Sequence, residues 1–365
     1  MKFEKHVLEV TDLRVSRGGV QTLDIPSFFL GQNEFVSLIG PNGCGKSTLL
    51  LSIMCLLKRD GGTLRYNGEE IASPAAELAF RRKIAMVLQE PLLFDSTVHD
   101  NVASGLKIRG VERQEIRRRV GEYLERFNLQ AMAQRSARKL SGGEARRVSL
   151  ARAFAVQPDV IFFDEPFAHL DTPTRTALID DMERIIAETG TAAVLVTHDQ
   201  GEALRMSDRI VVMNGGRVVQ VDTPAHVMNH PVNEFVANFV GMETVLEGVV
   251  LRNRERQLTV SVDGVEIDVI GELNQGDKVY CCIRPENVLL NTSNNATTSS
   301  ARNVFAGRIA DIASMGPFLK LRLKCGFPLT SYVTCQAFAD LGLKEGMDVF
   351  ASFKATSVHL IRKGH

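Results

Sequence analysis

Gly40-Pro41-Asn42-Gly43-Cys44-Gly45-Lys46-Ser47-Thr48 decides the fold of this chain. The stretch has the spacing G-x-x-x-x-G-K-[ST], a loop that wraps the phosphates of a nucleotide. An apolar run, Phe35-Val36-Ser37-Leu38-Ile39, leads into it and predicts a strand, and Thr48-Leu49-Leu50-Leu51-Ser52-Ile53-Met54 predicts a helix after it. Glycines let the backbone turn its N–H groups inward, and the helix start adds its positive dipole end. In that setting Lys46 reaches the outer phosphates and the Ser47 hydroxyl takes a Mg²⁺ position. The competing reading is a Gly-rich turn that binds nothing, and the strand–loop–helix setting argues against it.

Outward from this loop, further apolar strands are predicted at Ile84–Leu88, Val160–Phe163 and Ala192–Val196, with helical stretches between them. Buried strands alternating with helices argue an α/β core with a mainly parallel sheet. Upstream, Leu8 and Val10 alternate with Glu9 and Thr11 until the pattern slips at Asp12, and Gly18-Gly19 marks a turn. Gly61-Gly62 and Asn67-Gly68 frame Thr63–Tyr66 as a hairpin. Residues 98–134 are helical in character, with a dense charge pattern at 111–126.

Several polar residues fall at the predicted strand ends, where α/β folds place their sites. Asp164-Glu165 follows the strand 160–163, so Asp164 is suited to hold Mg²⁺ and Glu165 to polarise an attacking water. Gln89 ends the strand that starts at Ile84 and is a candidate to sense Mg²⁺ or the attacking water; His198 lies just past the strand that ends at Val196, with Asp199 beside it to hold its ring. Leu140-Ser141-Gly142-Gly143-Glu144 resembles a capping box. Its Ser and exposed N–H groups suit an anion, and equally a plain helix cap; the residues alone do not choose.

The chain has 365 residues, room for two or three domains, and its 43 Lys plus Arg balance 43 Asp plus Glu. No net field argues for nucleic acid or an anionic membrane surface. No apolar run reaches eighteen residues, and the start, Met1-Lys2-Phe3-Glu4-Lys5-His6, lacks the apolar core of a secretory signal. The six cysteines show no C-x-x-C pairing and read as reduced thiols. Near residue 241 the character changes to short β-like runs with Gly turns, interrupted by the polar stretch Asn291–Ser300. This part reads as a small β-barrel module.

Together these motifs resemble the ATP-hydrolysing subunits of ABC transporters, over roughly residues 6–237. Gly40–Ser47 is similar to the Walker A loop, Leu140–Glu144 to the LSGGE-type signature and Val160–Asp164 to Walker B. Glu165 matches the catalytic glutamate, Gln89 the Q-loop glutamine, His198 the switch histidine, and Ala168-His169-Leu170-Asp171 the D-loop. The resemblance implies a P-loop NTPase fold over residues 1–240, with a helical subdomain at about 90–140. It also implies ATP and Mg²⁺ as cofactors and a head-to-tail pair of copies. In such a pair Ser141, Gly142, Gly143 and Glu144 of one copy meet the nucleotide on the other, with Asp171 among the nucleotide contacts. The implied partners are two membrane permease subunits and an extracytoplasmic substrate-binding protein, and the implied place is the cytoplasmic face of the membrane. The region 90–135 would meet a permease, although its charges equally fit a solvated helix. In one departure, Arg17 stands where the family places an adenine-stacking aromatic; a guanidinium plane also stacks on a base.

Residues 241–365 carry their own resemblance. Arg284-Pro285-Glu286 recurs in accessory domains of importer ATPases, and Leu329–Thr334, Leu341–Gly346 and Phe353–Val358 look like the molybdate-binding type of OB-like barrel, a TOBE/Mop-like domain. Ser331, Lys354, Thr356 and Ser357 are candidate ligands for a tetrahedral oxyanion, or ordinary solvent-facing strand residues. The leading expectation is therefore an ATPase driving import of an oxyanion, with tungstate or molybdate preferred. The same ATPase serving sulfate, polyamine, iron(III) or sugar is the alternative. An ABC protein acting on nucleic acid or ribosomes stands lower, because there is one phosphate loop and no long heptad run. A purely regulatory protein with a dead ATPase is disfavoured by the presence of Lys46, Asp164, Glu165 and His198.

Overall fold

The computed structural model describes residues 6–293 and 300–363, so the middle of the polar stretch 291–300 lies outside the described residues. The chain divides into two compact units, Met1–Pro224 and Ala225–His365.

In the first unit, β1 (His6–Arg17) and β2 (Val20–Gly31) pair antiparallel around Gly18-Gly19. The turn is tight because both glycines have positive φ, +57° and +80°. β1 also pairs with β4 (Gly61–Tyr66), which turns at Asn67-Gly68 into the short β5 (Glu69–Glu70). The slip in alternation at Asp12 is a β-bulge: Asp12 has φ +50°, and the register against β4 shifts between Thr11 and Arg14.

The second sheet of this unit carries the chemistry. Its order is β10-β9-β3-β8-β7-β6. β3 (Phe35–Ile39), β6 (Ile84–Val87), β7 (Val160–Asp164), β8 (Ala192–Val196) and β9 (Arg209–Asn214) run parallel, and β10 (Arg217–Asp222) closes one edge antiparallel. β3 and β8 are buried throughout, which is why they do not alternate; β8 is wholly apolar, and the one polar residue of β3, Ser37, pairs its hydroxyl with that of Ser207. The helices are α1 (Lys46–Ile53), α2 (Pro74–Arg81), α3 (Val98–Ile108), α4 (Arg113–Arg126), α5 (Gly142–Ala155), α6 (Thr172–Thr189) and α7 (Gln200–Met206).

The helical stretch is tied to the sheet by aromatic packing. Phe154 of α5 stacks on Tyr123 of α4 with ring centroids 6.4 Å apart and meets Phe163 of β7 at 6.3 Å. Each fully buried ring contributes about 1.5–3 kcal/mol. The charges of α4 stay on its outer face: Glu115 pairs with Arg118 at 2.7 Å and Arg119 at 2.6 Å, while Ile116, Val120, Tyr123 and Leu124 are buried. Exposed pairs of this kind contribute ~0–1 kcal/mol, so the apolar stripe docks the helix and the charges solvate it.

The division between the units falls at 224/225, not at the expected 240/241. The intervening helices, α8 (Pro224–Asn229) and α9 (Glu234–Phe239), are held by later residues. The Arg284 guanidinium donates to the Met228 carbonyl, and a His359 ring nitrogen lies 3.0 Å from the Pro231 carbonyl oxygen.

The second unit is all antiparallel β apart from short helices. One sheet has the order β13-β12-β11-β14-β20, from β11 (Thr244–Arg254), β12 (Gln257–Val262), β13 (Val265–Ile270), β14 (Lys278–Ile283) and β20 (Val358–Arg362). The other has the order β15-β19-β16-β17-β18, from β15 (Leu289–Asn291), β16 (Asn303–Ser314), β17 (Phe318–Lys324), β18 (Pro328–Thr334) and β19 (Asp348–Phe353). A short helix, α10 (Cys335–Asp340), follows β18. Val260, Cys281 and Ile283 from one sheet share a core with Leu321, Leu329 and Phe353 from the other.

Candidate nucleotide site

The phosphate loop leaves the end of β3 and enters α1. Gly40, Gly43 and Gly45 have φ of +152°, +79° and +105°, values that L side chains rarely adopt. Two of them are also pressed against neighbours. A Cβ on Gly40 would overlap the Met213 carbonyl oxygen and sit 2.9 Å from Cys44 Sγ, and one on Gly45 would come within 2.6 Å of Leu23 Cδ2. Gly43 has open space around it. The outer wall of the loop is the β9–β10 turn: the Gly216 N–H donates to the Cys44 carbonyl at 2.9 Å. The Gly216 carbonyl in turn accepts from Asp24 N–H at 2.9 Å. Cys44 is buried, with its Sγ 3.8 Å from Lys46 Nζ.

The head of α1 is open to an anion. Gly45 is its N-cap in left-handed conformation and supplies no side-chain hydrogen bond. The first N–H groups of a helix have no intrahelical partner, so without a capping side chain they stay available as donors. Lys46 is buried, and its ammonium donates to the Gly40 carbonyl at 2.8 Å and the Pro41 carbonyl at 3.0 Å. Its charge is thereby centred inside the loop.

Asp164 ends β7, two strands from β3. The Ser47 hydroxyl donates to its Oδ1 at 3.1 Å. Burial pushes the Asp164 carboxyl above its usual range, and the neighbouring Glu165 adds to that push, against the Ser47 hydrogen bond and Lys46. A hydroxyl and a carboxylate at this spacing are hard oxygen donors of the kind Mg²⁺ takes in pairs, with phosphates completing its shell. A cation there also offsets the strained carboxylate. The residues therefore fit Mg²⁺.

Glu165 has φ +47°, and its N–H donates to the Val196 carbonyl at 2.9 Å. One of its carboxylate oxygens lies 3.4 Å from His198 Nδ1. His198 is 63 % exposed. Asp199 was expected to hold the His198 ring, and it does not. Its carboxylate accepts from Arg175 at 3.1 Å and caps α7 through Glu202 N–H at 3.2 Å. Gln89 is exposed, two residues past the end of β6, which pairs with β7. The edge formed by β3, β8, β7 and β6 thus gathers Lys46, Ser47, His198, Asp164, Glu165 and Gln89.

Ser141, Gly142, Gly143, Glu144 and Asp171 form a second cluster. Ser141 caps α5 by accepting from Glu144 N–H at 3.3 Å, and Glu144 returns the bond from Ser141 N–H at 2.7 Å. That backbone hydrogen bond holds the Glu144 carboxyl below its usual range. Asp171 caps α6, accepting from Thr174 N–H at 3.3 Å, and the Thr174 contacts lower its pKa. The two helix heads adjoin, since a Cβ on Gly143 would sit 3.0 Å from Thr174 Cγ2. The capping reading of Ser141 is correct, and its hydroxyl faces both the Glu144 N–H and the Glu144 carboxylate. Among the described residues, no hydrogen bond or ion pair joins this cluster to the phosphate loop.

Arg17 stands apart from both clusters, exposed at the tip of the β1–β2 hairpin opposite Val20. β2 lies along the phosphate loop, with Leu23 packed on Gly45, so the tip borders the loop's flank. Sequence reasoning missed Gly216, which walls the loop, and Arg146, a buried guanidinium on α5 that donates to the carbonyls of Leu88, Gln89 and Ala168.

In the second unit Lys354 and Thr356 line a cleft of about 650 Å³ together with Arg252, Arg254, Thr259 and Arg302. Ser331 does not belong to that cleft; it is buried and donates to the Val288 carbonyl at 2.8 Å. Ser357 likewise turns back to the Lys354 carbonyl at 2.7 Å.

A phosphate loop on a parallel sheet, with an acidic pair and a histidine on the same edge, defines a P-loop ATPase. Residues 23–168 match the ABC transporter family and residues 299–360 the TOBE domain. The chain is 38 % identical over 338 residues to a molybdate/tungstate import ATP-binding protein of Pyrococcus horikoshii, covering 92 % of this chain and 94 % of that one. It is 35 % identical over 354 residues to a spermidine/putrescine import ATP-binding protein of Roseobacter denitrificans, covering 94 % of each. Among solved structures, cbiO1 from Clostridium perfringens, part of the ABC transporter complex cbiONQ, superposes with a TM-score of 0.59. It shares 27 % identity over 66 % of this chain and 96 % of that one. The chain belongs to the ABC transporter family of import ATP-binding proteins. It hydrolyses ATP to drive import of a small molecule. No helix among the described residues is long and apolar enough to cross a membrane.

Proposed function

We propose that this chain powers import of an oxyanion, with tungstate or molybdate preferred. The observation that carries the cargo reading is the cleft of the second unit. Arg254, Arg302 and Lys354 line it without an ion-pair partner among the described residues, and Thr356 adds a hydroxyl; the one carboxylate in the lining, Asp268, accepts from the Thr259 hydroxyl at 3.2 Å. Three unpaired cations against one carboxylate attract a small dianion and repel a polyamine. The polyamine reading draws on relatives of comparable similarity, such as the spermidine/putrescine import protein above.

At the nucleotide site, Lys46 and the free N–H groups at the head of α1 hold the outer phosphates of ATP. Pro41, Asn42, Cys44 and Thr48 shape the loop, and Arg17 stacks on the base. Ser47 and Asp164 hold Mg²⁺, which when bound neutralises charge on the transferring phosphoryl group. Gln89 reaches toward the same edge. Glu165 accepts a proton from the attacking water at its carboxylate, and His198, against that carboxylate, keeps the water in line. Ser141, Gly142 and Gly143, with Asp171, serve the nucleotide of a second copy arranged head to tail, since in one chain they lie in a separate cluster. Two permease subunits and an extracytoplasmic binding protein complete the transporter, with this chain on the cytoplasmic face of the membrane.

The test is uptake of tungstate, molybdate, sulfate and spermidine, each at low concentration, in cells carrying the native system or its Glu165→Gln version. Loss of tungstate or molybdate accumulation alone supports the reading. Loss of spermidine uptake with the anions untouched transfers the chain to polyamine import.

A further inference from the structure

Arg146 touches three backbone carbonyls in two separate turns. It lies on α5, five residues after Ser141, and is only 5 % exposed. One guanidinium nitrogen donates to the Leu88 carbonyl at 3.1 Å and to the Gln89 carbonyl. The other donates to the Ala168 carbonyl at 3.3 Å. Leu88 and Gln89 follow β6. Ala168 closes the turn after Glu165, with its N–H on the Glu165 carbonyl at 3.2 Å. Neither turn belongs to a helix or strand, so each lacks the ladder bonds that fix regular structure.

No carboxylate pairs with Arg146 among the described residues, and its Nε is buried without a partner. A buried charge held only by carbonyls is a costly arrangement for stability alone, because an apolar side chain of similar volume is often neutral or better. A planar fork has a different use: its donors point in fixed directions, so it sets the spacing of the groups it binds. Here those groups are the bases of the Gln89 and Glu165 turns, and the helix that carries the fork begins at Ser141.

We infer that Arg146 is a positioning residue for hydrolysis. It locks the Gln89 turn, the Glu165–Ala168 turn and the head of α5 into one rigid piece, so that they shift together when a nucleotide is bound. It touches no reacting atom. The inference rests on the reading that Gln89 and Glu165 serve hydrolysis.

Arg146→Met removes the donors and keeps an apolar chain; Arg146→Lys keeps the charge as a single point. Amide hydrogen exchange on the nucleotide-free protein reads the tether directly. In Arg146→Met, exchange at residues 88–90 and 166–171 rises at least tenfold while β3, β7 and β8 stay at the native rate. The activity arm is a KM-against-kcat split with nucleotide-binding stoichiometry measured alongside. Stoichiometry and KM for ATP stay native while kcat falls by about 10²-fold, as for a misplacement near 1 Å. Arg146→Lys recovers part of the loss. Exchange that rises evenly across the unit, or turnover that falls only in step with binding stoichiometry, overturns the inference in favour of a merely structural residue. Native exchange in both turns overturns it outright. Full turnover in Glu165→Gln is a separate failure, of the site reading, and the exchange result still decides whether the tether exists.

Discussion

Gly215 and Gly216 are neighbours in the β9–β10 turn, both with positive φ, +53° and +78°, and they should respond differently to the same substitution. Around Gly215 a Cβ meets nothing within 4 Å. Gly215→Ala therefore costs only the left-handed backbone, about 1–2 kcal/mol. A Cβ on Gly216 would overlap the Thr22 carbonyl oxygen and approach the Thr22 carbonyl carbon at 3.0 Å. Thr22 is backbone of a paired strand and cannot swing aside as a side-chain tip can. Overpacking of that kind adds about 1–3 kcal/mol, so Gly216→Ala should cost about 2–5 kcal/mol in all. The displacement also pulls Gly216 N–H away from the Cys44 carbonyl, the bond that walls the phosphate loop. Losing one such bond at about 0.5–1.5 kcal/mol corresponds to roughly a 2–12-fold rise in Kd for ATP. The assays are thermal melting and titration with a fluorescent ATP analogue, on both variants. The expected pattern is a lower Tm for both, lower still for Gly216→Ala, and weakened nucleotide binding for Gly216→Ala alone. Equal Tm values together with equal Kd values would refute the claim that this turn supports the loop.

Glu165→Gln should lower kcat by about 10²–10⁴-fold with ATP binding retained, checked by phosphate release and by the analogue titration. Ser141→Ala removes the acceptor from the head of α5 and should cost ~1 kcal/mol in a melt, while ATP affinity of the isolated chain stays native and turnover falls. Asp164 holds its proton to a higher pH folded than unfolded, so without Mg²⁺ the stability should fall as pH rises through that window and stay lowered at neutral pH. Asp164→Asn removes the penalty: its Tm at neutral pH should exceed that of the native chain without Mg²⁺ and should rise less than the native chain's when Mg²⁺ and ATP are added.

The strands that hold the site were legible because they are buried on both faces: Val160–Phe163 and Ala192–Val196 contain no polar residue at all. The residues just past them were legible because a strand end in a parallel sheet is a defined place. The bulge at Asp12 left a visible mark as broken alternation. Arg146 left a weaker one. The buried face of α5 runs through Ser149, Leu150, Ala153 and Phe154, and one turn back that face reaches Arg146. An arginine on an apolar face asks for backbone partners, but the sequence does not say which turns come near. Gly216 carries no local signal beyond a Gly pair in a turn, since its constraint comes from Thr22, nearly two hundred residues away. Asp199 misled because adjacency in sequence is not adjacency in space: the backbone turns between the two residues, and Asp199 is drawn into the cap of α7. The second unit was legible as β-rich from its short runs, while the burial of Ser331 depends on how β18 meets Val288 and no periodicity foretells it.

The two helix heads at the site divide the work according to what caps them. The head of α1 has no capping side chain, and its donors face a loop that centres a lysine ammonium. The head of α5 is closed by its own serine and glutamate. An anion therefore gains most of its binding at α1, and α5 adds a smaller contribution once something brings it close. A strong site and a weak one, placed in separate clusters of the same chain, suit the proposed head-to-tail pair, in which affinity would be set by one copy and closure by the other. If closure drew on a strong second site, the copies would stay shut after hydrolysis. In the proposed head-to-tail pair, a weak head would lose its hold when the terminal phosphate leaves, and that difference would be the free energy available to reset the pair.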